Sequence, residues 1–269
     1  MPFVGRDGVR IHWDSLGKGE PVVLIMGLGC SSAMWFRVAP QLAKEHRVLL
    51  IDNRGSGQTH VEHYVVHRVQ HMAADVAAVL DEAGETSAHL IGFSMGGMIA
   101  QQFTVDFAPR VRSLALLGTH SGGPWATQAE PHVRRLLFDK ARMSAEDSLH
   151  AMRPYTYARG TSDGLFDEDA LVRLANQPTL RDYQAQLYAL IGWSVYMDLP
   201  RFACPTLVMH GLQDALILPA NARRTAERIP HAELIELPDA SHWLMTDQNA
   251  KVLAALRAHI DQHSDRHAP

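Results

Sequence analysis

The sequence predicts an α/β fold in which a mostly parallel sheet is flanked by helices, and three observations point to it. Short apolar runs, such as residues 21–27, alternate with amphipathic stretches, as in a sheet with crossover helices. A single long interval, 121–197, has helical patterns only. The chain of 269 residues is 46% hydrophobic and 20% charged, which is an ordinary globular composition and allows one large domain or two small ones.

Two kinds of apolar pattern predict the strands. Residues 9–17 alternate between apolar and polar and end in glycine, which predicts an early antiparallel strand. Residues 21–27 are continuously apolar, which is typical of a strand covered on both faces. The further predicted strands span residues 46–52, 88–93, 111–119, 205–211 and 232–238.

Helical spacing between the strands predicts the helices that cover the sheet. In residues 67–84 the apolar side chains recur on one face, and Gly84 ends the pattern. The other helices of this kind are predicted over residues 33–44, 95–107, 219–229 and 247–262.

The interval 121–197 interrupts this alternation of strands and helices. It has four helical patterns, and Asp167 or Asp169 suits the N-cap of the third. Because strands resume directly after it, we interpret the interval as a helical cap, or lid, inserted into one α/β core. The core then comprises residues 1–120 and 198–269. A separate small helical domain is the alternative.

Charge and composition exclude several classes of partner. The formal net charge is −4, so no basic face for nucleic acid is expected. The sequence has no apolar run of about 18 residues and no charged leader before an apolar block, so we expect neither a membrane span nor a signal peptide. Only Cys30 and Cys204 occur, which suits a cytoplasmic protein and leaves a pairing of the two open.

A serine stands at the predicted junction of a strand and a helix. Residues 92–96, Gly-Phe-Ser-Met-Gly, match the pattern G-x-S-x-G in the strand–turn–helix context that gives this pattern its meaning. The two glycines lack the Cβ atoms that would obstruct a tight reversal. Such a turn exposes the Oγ of Ser94 above a helix N-terminus, so we predict Ser94 as a nucleophile. An ordinary helix N-cap is the alternative role.

A nucleophilic serine needs a base, and the base needs an acid that orients it. Asp214 follows the predicted strand 205–211, and His242 follows 232–238. Both therefore lie at the carboxyl ends of strands, where ligands bind in open parallel sheets. The chain order Ser94, Asp214, His242 is also the order typical of this design.

Other acids and histidines compete for these two roles. Asp239 and Asp247 lie close to His242 in sequence, but neither follows a strand of its own. His210 and His120 both follow strands. We expect His210 to pack beside a turn glycine, and His120 to line the pocket.

The oxyanion formed by such a serine requires two backbone N–H donors. The residue after the nucleophile supplies one, which predicts Met95. The loop after the strand 21–27 supplies the other, and we predict Leu28 because Gly27 and Gly29 flank it. An ordinary glycine turn between strand and helix is the alternative reading of that loop.

The sequence around Ser94, Asp214, His242 and the loop after residues 21–27 resembles the α/β-hydrolase fold family, and the resemblance covers nearly the whole chain. The resemblance is closest to small bacterial esterases and 3-oxoadipate enol-lactonase-like hydrolases with a helical cap. It implies a mostly parallel eight-stranded sheet and a Ser94–His242–Asp214 catalytic triad. One departure is Met26-Gly27, where many relatives have His-Gly. The matching segments are residues 26–35, 52–59, 92–97, 210–214 and 241–243.

Large side chains near these positions are candidates for a substrate pocket. Phe93 and Trp243 each neighbour a predicted catalytic residue in sequence. Trp125, Trp193 and Met197 belong to the predicted cap. We predict that these five residues line the pocket, with Phe93 and Trp243 the strongest candidates, and packing within the core or the cap is the alternative role.

Several arginines have alternative readings. Arg54 follows a strand, and we expect it to tie loops together by hydrogen bonds. Arg134 and Arg135 lie in the predicted cap, where an acidic substrate or a solvated helix face explains them, and we favour the solvated face.

No metal or organic cofactor is expected. His60, His63, His67 and His71 recur at intervals of three and four, a spacing that can place ligands on one helix face. No carboxylate or cysteine joins them at a fixed spacing, and the first two precede the predicted helix. Acyl transfer on a serine–histidine–aspartate triad needs neither kind of group.

The predicted function is hydrolysis of a small-molecule carboxylic ester or lactone through an acyl-enzyme. One rival is a different reaction on the same triad, either C–C bond cleavage of a vinylogous diketone or cofactor-free perhydrolysis. The other is a ligand-binding protein that keeps the pocket without turnover, because fold alone does not select a chemistry. No nucleic-acid or membrane partner is expected, and the oligomeric state is open, with a homodimer as one option.

Overall fold

A nine-stranded sheet forms the centre of the protein in the computed structural model, which describes residues 2–62, 66–139 and 143–264. Eight of its strands follow the order β1-β2-β4-β3-β6-β7-β8-β9, and the two-residue β5 pairs with β2 as a ninth. The strands are β1 (Phe3–Arg6), β2 (Val9–Leu16), β3 (Pro21–Ile25), β4 (Arg47–Ile51), β5 (His60–Val61), β6 (Ala88–Phe93), β7 (Val111–Leu117), β8 (Thr206–Gly211) and β9 (Glu233–Leu237).

The sheet is antiparallel at one side and parallel through its middle. β2 pairs antiparallel with β1, β4 and β5, as its alternating pattern predicts. All pairs from β4 through β9 are parallel. In this register Ile25 lies beside Gly92, and Gly211 lies beside Leu237, so β3, β6, β8 and β9 end at one edge of the sheet. The loops that leave those ends therefore meet in space.

Ten α-helices occur among the described residues. They are α1 (Ala39–Leu42), α2 (Val69–Glu82), α3 (Met95–Asp106), α4 (Pro131–Asp139), α5 (Ala145–Thr156), α6 (Asp163–Ala175), α7 (Leu180–Ala189), α8 (Ala220–Arg228), α9 (Leu244–Asp247) and α10 (Asn249–Gln262). Three short 3₁₀ turns accompany them, at Ser32–Trp35, Ala108–Arg110 and Leu199–Arg201.

The predicted helix over 33–44 is two elements rather than one. A 3₁₀ turn, Ser32–Trp35, precedes α1, in which a proline occupies the first turn. Pro40 has no backbone N–H to continue the hydrogen bonds of the preceding turn, so the helix starts anew there.

Apolar side chains fill both faces of the sheet. On one face α2 and α3 pack through residues such as Val76 and Ile99, both fully buried. On the other face α1 and α10 contribute Leu42 and Leu256. A fully buried aliphatic side chain of this kind stabilises the fold by about 1.5–3 kcal/mol. These two cores hold the strand ends, and the loops they carry, in fixed positions.

Helices α4 to α7 lie between β7 and β8 in the chain and belong to the interval 121–197, called the inserted segment below. Three of them begin at a serine or threonine that accepts a hydrogen bond from the N–H of its N3 residue: Ser144, Ser162 and Thr179. The first helix of the segment ends, among described residues, at Asp139. The division of the chain into a core and a cap stays our interpretation of this arrangement.

The predicted N-cap of the third helix in the inserted segment was wrong. Ser162 caps α6, because its hydroxyl accepts from the Leu165 N–H, whereas Asp167 and Asp169 lie inside the helix. The buried carboxylate of Asp169 instead accepts hydrogen bonds from the Tyr157 hydroxyl and from neighbouring groups of the core.

No helix in the described part of the chain has both the length and the apolar character needed to cross a membrane.

Candidate active site

Ser94 occupies a strained turn between β6 and α3. Its φ is 54° and its ψ is −119°, a backbone conformation that a non-glycine residue adopts at a cost of about 1–3 kcal/mol. A Cβ on Gly92 would clash with the Gly96 carbonyl, and a Cβ on Gly96 would clash with the Ile25 carbonyl. The glycines at these positions therefore permit the reversal that the sequence motif predicts.

The structure brings the hydroxyl of Ser94, the imidazole of His242 and the carboxylate of Asp214 together. His242 Nε2 lies 3.1 Å from Ser94 Oγ, and His242 Nδ1 lies 2.8 Å from Asp214 Oδ2. His242 is buried and Asp214 is fully enclosed. Three side chains from distant parts of the sequence thus form one chain of hydrogen bonds.

Asp214 is held as an ionised acceptor by its surroundings. Its Oδ1 accepts from the backbone N–H groups of Leu216 and Ile217, at 2.9 and 2.8 Å. Burial on its own would raise the pKa of this carboxyl, but the charge of His242 and the hydrogen bonds from His210 and His242 lower the pKa to about 2. The carboxylate is consequently charged throughout the neutral range.

His210 contacts the candidate acid, which the sequence did not reveal. We expected it to pack beside a turn glycine, and it is indeed fully buried. Its Nε2, however, lies 2.7 Å from the Ile217 carbonyl and 3.3 Å from Asp214 Oδ2. Both oxygens only accept, so Nε2 carries the proton. The four-residue interval between His210 and Asp214, across the end of β8, is the only local signal for this contact.

Among the described residues, the other competitors for the roles of acid and base form no hydrogen bond or ion pair with Ser94 or His242. Asp239 is exposed. Asp247 accepts from the N–H groups of Ser241 and Ala158 and from the Thr161 hydroxyl, which joins the loop before His242 to the inserted segment. His120 lines the cavity described below, where burial, together with His210, lowers its pKa to about 4.

The two predicted oxyanion donors lie beside the serine. A Cβ on Gly27 would come within 3.0 Å of Ser94 Cβ, so the loop after β3 passes directly alongside. Leu28 and Met95 line the same cavity as Ser94. Within the described part of the chain, no hydrogen bond engages the backbone N–H of either residue. Both groups are therefore available to a ligand.

A cavity of about 590 Å³ opens above these residues, between the loops of the sheet and the inserted segment. Of the five side chains predicted to line it, Phe93, Trp193 and Trp243 do so. Trp193 is fixed by a hydrogen bond of 2.9 Å from its Nε1 to Gln102 Oε1. Large apolar residues thus form much of the surface that a substrate would touch.

Trp125 and Met197 are not among the described residues that line this cavity. Trp125 is 41% exposed, and its ring stacks on Tyr196 with the centroids 4.7 Å apart. Met197 is 62% exposed. A β-bridge between Gly122 and Ser194 joins the two chain segments that carry these residues, and Trp193, next to the bridge, is buried and lines the cavity.

One cationic side chain in the cavity has no acidic partner. The guanidinium of Arg173, from α6, lies 5.1 Å from the centre of the Trp243 ring. Among the described residues no carboxylate lies within ion-pair distance of it. Arg134, from α4, also lines the cavity but is exposed. The cavity is therefore largely apolar, with the positive charge of Arg173 beside Trp243.

Arg54 makes structural hydrogen bonds as we predicted, but its side chain joins the loop after β4 to helix α2 rather than to another loop. Its Nε and Nη2 each lie 2.7 Å from an oxygen of Asp75, and both side chains are buried. Of the four spaced histidines, His63 lies outside the described residues, and burial, with the charge of Arg54, lowers the pKa of His67 to about 4. The described residues that come close enough to share a metal ion are Glu45, His46 and Asp261, next to the start of β4 and therefore at the opposite edge of the sheet from Ser94.

Comparison with known proteins gives a consistent assignment. A family model described as alpha/beta hydrolase fold matches residues 20–248. The chain is 25% identical to a protein named putative carbamate hydrolase RutD from Stutzerimonas stutzeri, over 86% of this chain and 89% of that one. It is 27% identical to a 2-hydroxy-6-oxo-2,4-heptadienoate hydrolase from Pseudomonas putida, over 90% and 89% of the two chains. A thermophilic esterase from Thermogutta terrifontis superposes with a TM-score of 0.82 at 26% identity, covering 95% of this chain and 94% of the esterase.

Proposed function

Because the chain belongs to the alpha/beta hydrolase fold family, we propose that it is a serine hydrolase that cleaves a carboxylic ester or lactone through an acyl-enzyme. The observation that supports this most directly is the hydrogen-bonded series Ser94–His242–Asp214, with its distances of 3.1 and 2.8 Å. The similarity to an esterase supports the choice of an ester bond.

Acylation begins at Ser94. As Oγ attacks the carbonyl carbon of the ester, its proton passes to Nε2 of His242, 3.1 Å away. The Asp214 carboxylate holds the Nδ1–H of the imidazole and stabilises the imidazolium that forms. Its low pKa keeps it charged for this purpose.

The tetrahedral intermediate has a negative oxygen beside Leu28 and Met95. Their N–H groups, which no hydrogen bond engages among the described residues, stabilise that charge together with the positive end of the α3 dipole. Loss of one such donor typically costs about 3–4 kcal/mol of transition-state stabilisation.

Breakdown of the intermediate and deacylation use the same groups in reverse. His242 gives its proton to the departing alkoxide oxygen, and the carbonyl re-forms as the ester C–O bond breaks. Water then loses a proton to His242 and attacks the acyl carbon. The proton returns to Oγ as the Ser94 ester bond breaks, which releases the acid.

The cavity favours a substrate with an apolar body and an anionic group. Its aromatic lining suits an acyl or aryl chain. The guanidinium of Arg173 has no carboxylate partner among the described residues, and it suits an anionic substrate because a guanidinium binds carboxylates through paired hydrogen bonds.

The same cation favours a second candidate reaction, C–C bond hydrolysis of a vinylogous diketone acid. A relative of this chain is named for a substrate of that kind, a heptadienoate with a carboxylate group. Hydrolysis assays of an aryl ester and of a ring-fission diketone, with the products identified, separate the two reactions. A ligand-binding protein without turnover would cleave neither.

The test of the proposal is hydrolysis of a short p-nitrophenyl ester by the wild type and by Ser94→Ala. We expect the variant to retain only a trace of the wild-type rate, because Oγ is the nucleophile. A fluorophosphonate probe should label the wild type, with the adduct on Ser94. Equal rates for the two proteins, or an adduct on another residue, would remove the proposal.

A further inference from the structure

A glutamine of the inserted segment reaches the loop that carries a candidate oxyanion donor. Gln186, on α7, is 0% exposed. Its Oε1 accepts from the backbone N–H of Gly29 at 2.8 Å, and its Nε2 donates to the Arg54 carbonyl and to Ser56 Oγ, each at 2.8 Å. A helix that belongs to the inserted segment thus makes polar contacts with two loops of the sheet edge.

The orientation of the Gln186 amide is fixed by the chemistry of its partners. The N–H of Gly29 can only donate, so it must face the oxygen of the amide. The carbonyl of Arg54 can only accept, so it must face the nitrogen. A flipped amide would lose both bonds in a buried place, where an unsatisfied polar group is strongly unfavourable. The contact is therefore a single defined geometry.

The contact is anchored on a rigid base. Arg54, whose carbonyl Gln186 meets, is itself held by two hydrogen bonds of 2.7 Å to Asp75. The preceding residue, Asn53, donates from Nδ2 to the Met26 carbonyl at 2.8 Å. The loop after β4 is therefore hydrogen-bonded to the loop after β3 directly, through Asn53, and also indirectly, through Gln186.

These bonds surround the peptide group that carries the Leu28 N–H. The Met26 carbonyl, one peptide before it, is held by Asn53, and the Gly29 N–H, one peptide after it, is held by Gln186. Its own carbonyl, of Gly27, accepts from the Cys30 N–H at 3.3 Å. In a trans peptide the N–H and C=O point in opposite directions, so these constraints determine where the Leu28 N–H points.

We propose that Gln186 is a positioning residue for the oxyanion hole, through which the docking of α7 sets the direction of the Leu28 N–H. This inference rests on the proposed function, because an oxyanion hole matters only to acyl transfer. It predicts that the transition state is fully stabilised only while the inserted segment is docked on the sheet edge. A substrate that fills the cavity and holds the segment in place would promote its own turnover.

A purely structural role for Gln186 predicts a different outcome. Loss of a buried hydrogen-bonding group would then lower stability and affect bound substrate and transition state equally. A positioning role acts on the oxyanion alone, so it changes kcat more than KM. It also weakens an inhibitor that forms an oxyanion more than one that does not.

The experiment compares Gln186→Met with Gln184→Met. The first replaces the amide by an apolar chain of similar length. The second is a matched control on the same helix, at a partly buried glutamine whose side chain makes no hydrogen bond within the described residues. For each protein we would measure kcat and KM on a p-nitrophenyl ester. We would also measure the Ki of two inhibitors, an alkyl trifluoromethyl ketone and the product carboxylate. The ketone forms a covalent adduct with Ser94 Oγ that bears an oxyanion, whereas the carboxylate does not.

For Gln186→Met we expect kcat to fall about 10- to 100-fold, since a displacement of about 1 Å can cost a factor of 10² in rate. KM and the Ki of the carboxylate should change less than about threefold, while the Ki of the ketone rises by the factor that kcat loses. Gln184→Met should behave as the wild type.

Wild-type kcat and ketone affinity in Gln186→Met would overturn the inference, as would an equal loss for the ketone and the carboxylate. If that variant does not fold, Gln186→Asn replaces it, because the shorter amide cannot reach both Gly29 and Arg54 yet keeps the site polar. We expect the same changes in kcat and in the Ki of the ketone. An unchanged Ki of the ketone in Gln186→Asn would contradict the inference. Failure of the wild type to hydrolyse the ester and label at Ser94 would instead count against the proposed function.

Discussion

His210 Nε2 and Asp214 Oδ2 lie 3.3 Å apart at the end of β8, and the same carboxylate oxygen is 2.8 Å from His242 Nδ1. Two histidines therefore share one oxygen of the candidate acid. One of them faces Ser94, while the other is fixed from behind by the Ile217 carbonyl. The carboxylate of Asp214 is therefore oriented by a buried residue of the core as well as by His242.

Replacement of this second histidine should weaken catalysis. His210→Leu removes one of the groups that lower the pKa of Asp214, so the pKa of that carboxyl should rise from about 2. We expect kcat/KM to fall about 10-fold or more, the effect of losing a hydrogen bond to a charged group. His210→Gln, which keeps an N–H donor, should recover most of the rate.

The pH–rate profile of the two variants distinguishes orientation from general damage. The acidic limb of kcat/KM should move in His210→Leu and stay near the wild-type position in His210→Gln. His89→Leu removes a buried histidine on β6 that bonds Ser113, outside the candidate site, and serves as the control. Identical profiles for all three variants would contradict the role assigned to His210.

Acid should destabilise the protein through a buried histidine of α10. Burial, with smaller contributions from His263 and His89, lowers the pKa of His259 from 6.5 to about 4. Between these values the unfolded chain binds a proton that the folded chain does not. The stability contribution is therefore present above pH 6.5 and is lost as the pH falls toward 4.

Thermal unfolding across this pH range measures the effect. The wild-type Tm should decrease from pH 7 to pH 4.5, and His259→Asn should show a smaller decrease because it cannot bind the proton. Replacement of the exposed His150 by asparagine should leave the wild-type slope unchanged. A slope in His259→Asn as steep as in the wild type would refute the assignment.

Arg173 should discriminate between anionic and neutral substrates. In Arg173→Leu we expect KM to rise about 10- to 100-fold for an ester with a carboxylate on its acyl chain, as for loss of a charged hydrogen bond. A neutral ester of the same length should be affected only slightly. Arg134→Leu, which removes an exposed cation at the same cavity, is the control. An equal change in KM for the anionic and the neutral ester would contradict the binding of a substrate carboxylate by Arg173.

The second glycine of the nucleophile motif should tolerate no side chain. In Gly96→Ala the new Cβ would overlap the Ile25 carbonyl, so α3 must move away from β3. We expect the free energy of unfolding to fall by about 1–3 kcal/mol, the usual effect of overpacking, with loss of activity.

A glycine of the inserted segment provides the contrast. A Cβ on Gly164, near the start of α6, would meet no atom within 4 Å, and alanine is the better helix former. Gly164→Ala should leave activity intact and change the unfolding free energy by less than about 1 kcal/mol in the stabilising direction. Chemical denaturation of both variants tests the pair, and equal destabilisation would contradict it.

Much of the sheet edge was predictable because its signals are local. The turn at Ser94 is specified by two glycines within four residues of each other, and Asp214 and His242 each follow a strand that its own apolar run identifies. The parallel pairing of β6, β7, β8 and β9 then places the ends of the three preceding strands at one edge of the sheet. The fold prediction is confirmed by the family match, and the catalytic roles stay a proposal.

The cavity was less predictable because its walls depend on contacts between distant segments. Trp193 lines the cavity and Met197 is exposed although they lie four residues apart, and the segment between them pairs with Gly122, more than 70 positions earlier in the chain. Gln186 reads as an ordinary helical residue. Its partner Gly29 is 157 positions away, and no local pattern indicates the contact.

The carboxylate of Asp247 joins the backbone before His242 to Ala158 and Thr161 of the inserted segment. That connection limits how freely the two parts of the molecule can be recombined. A foreign segment grafted in place of the inserted segment would have to reproduce both hydrogen-bonding positions, at Ala158 and Thr161. Otherwise the loop before His242 would lose its connection to the part of the chain that covers the cavity. A new substrate specificity is therefore more readily obtained by replacing side chains of the existing inserted segment than by exchanging the whole segment.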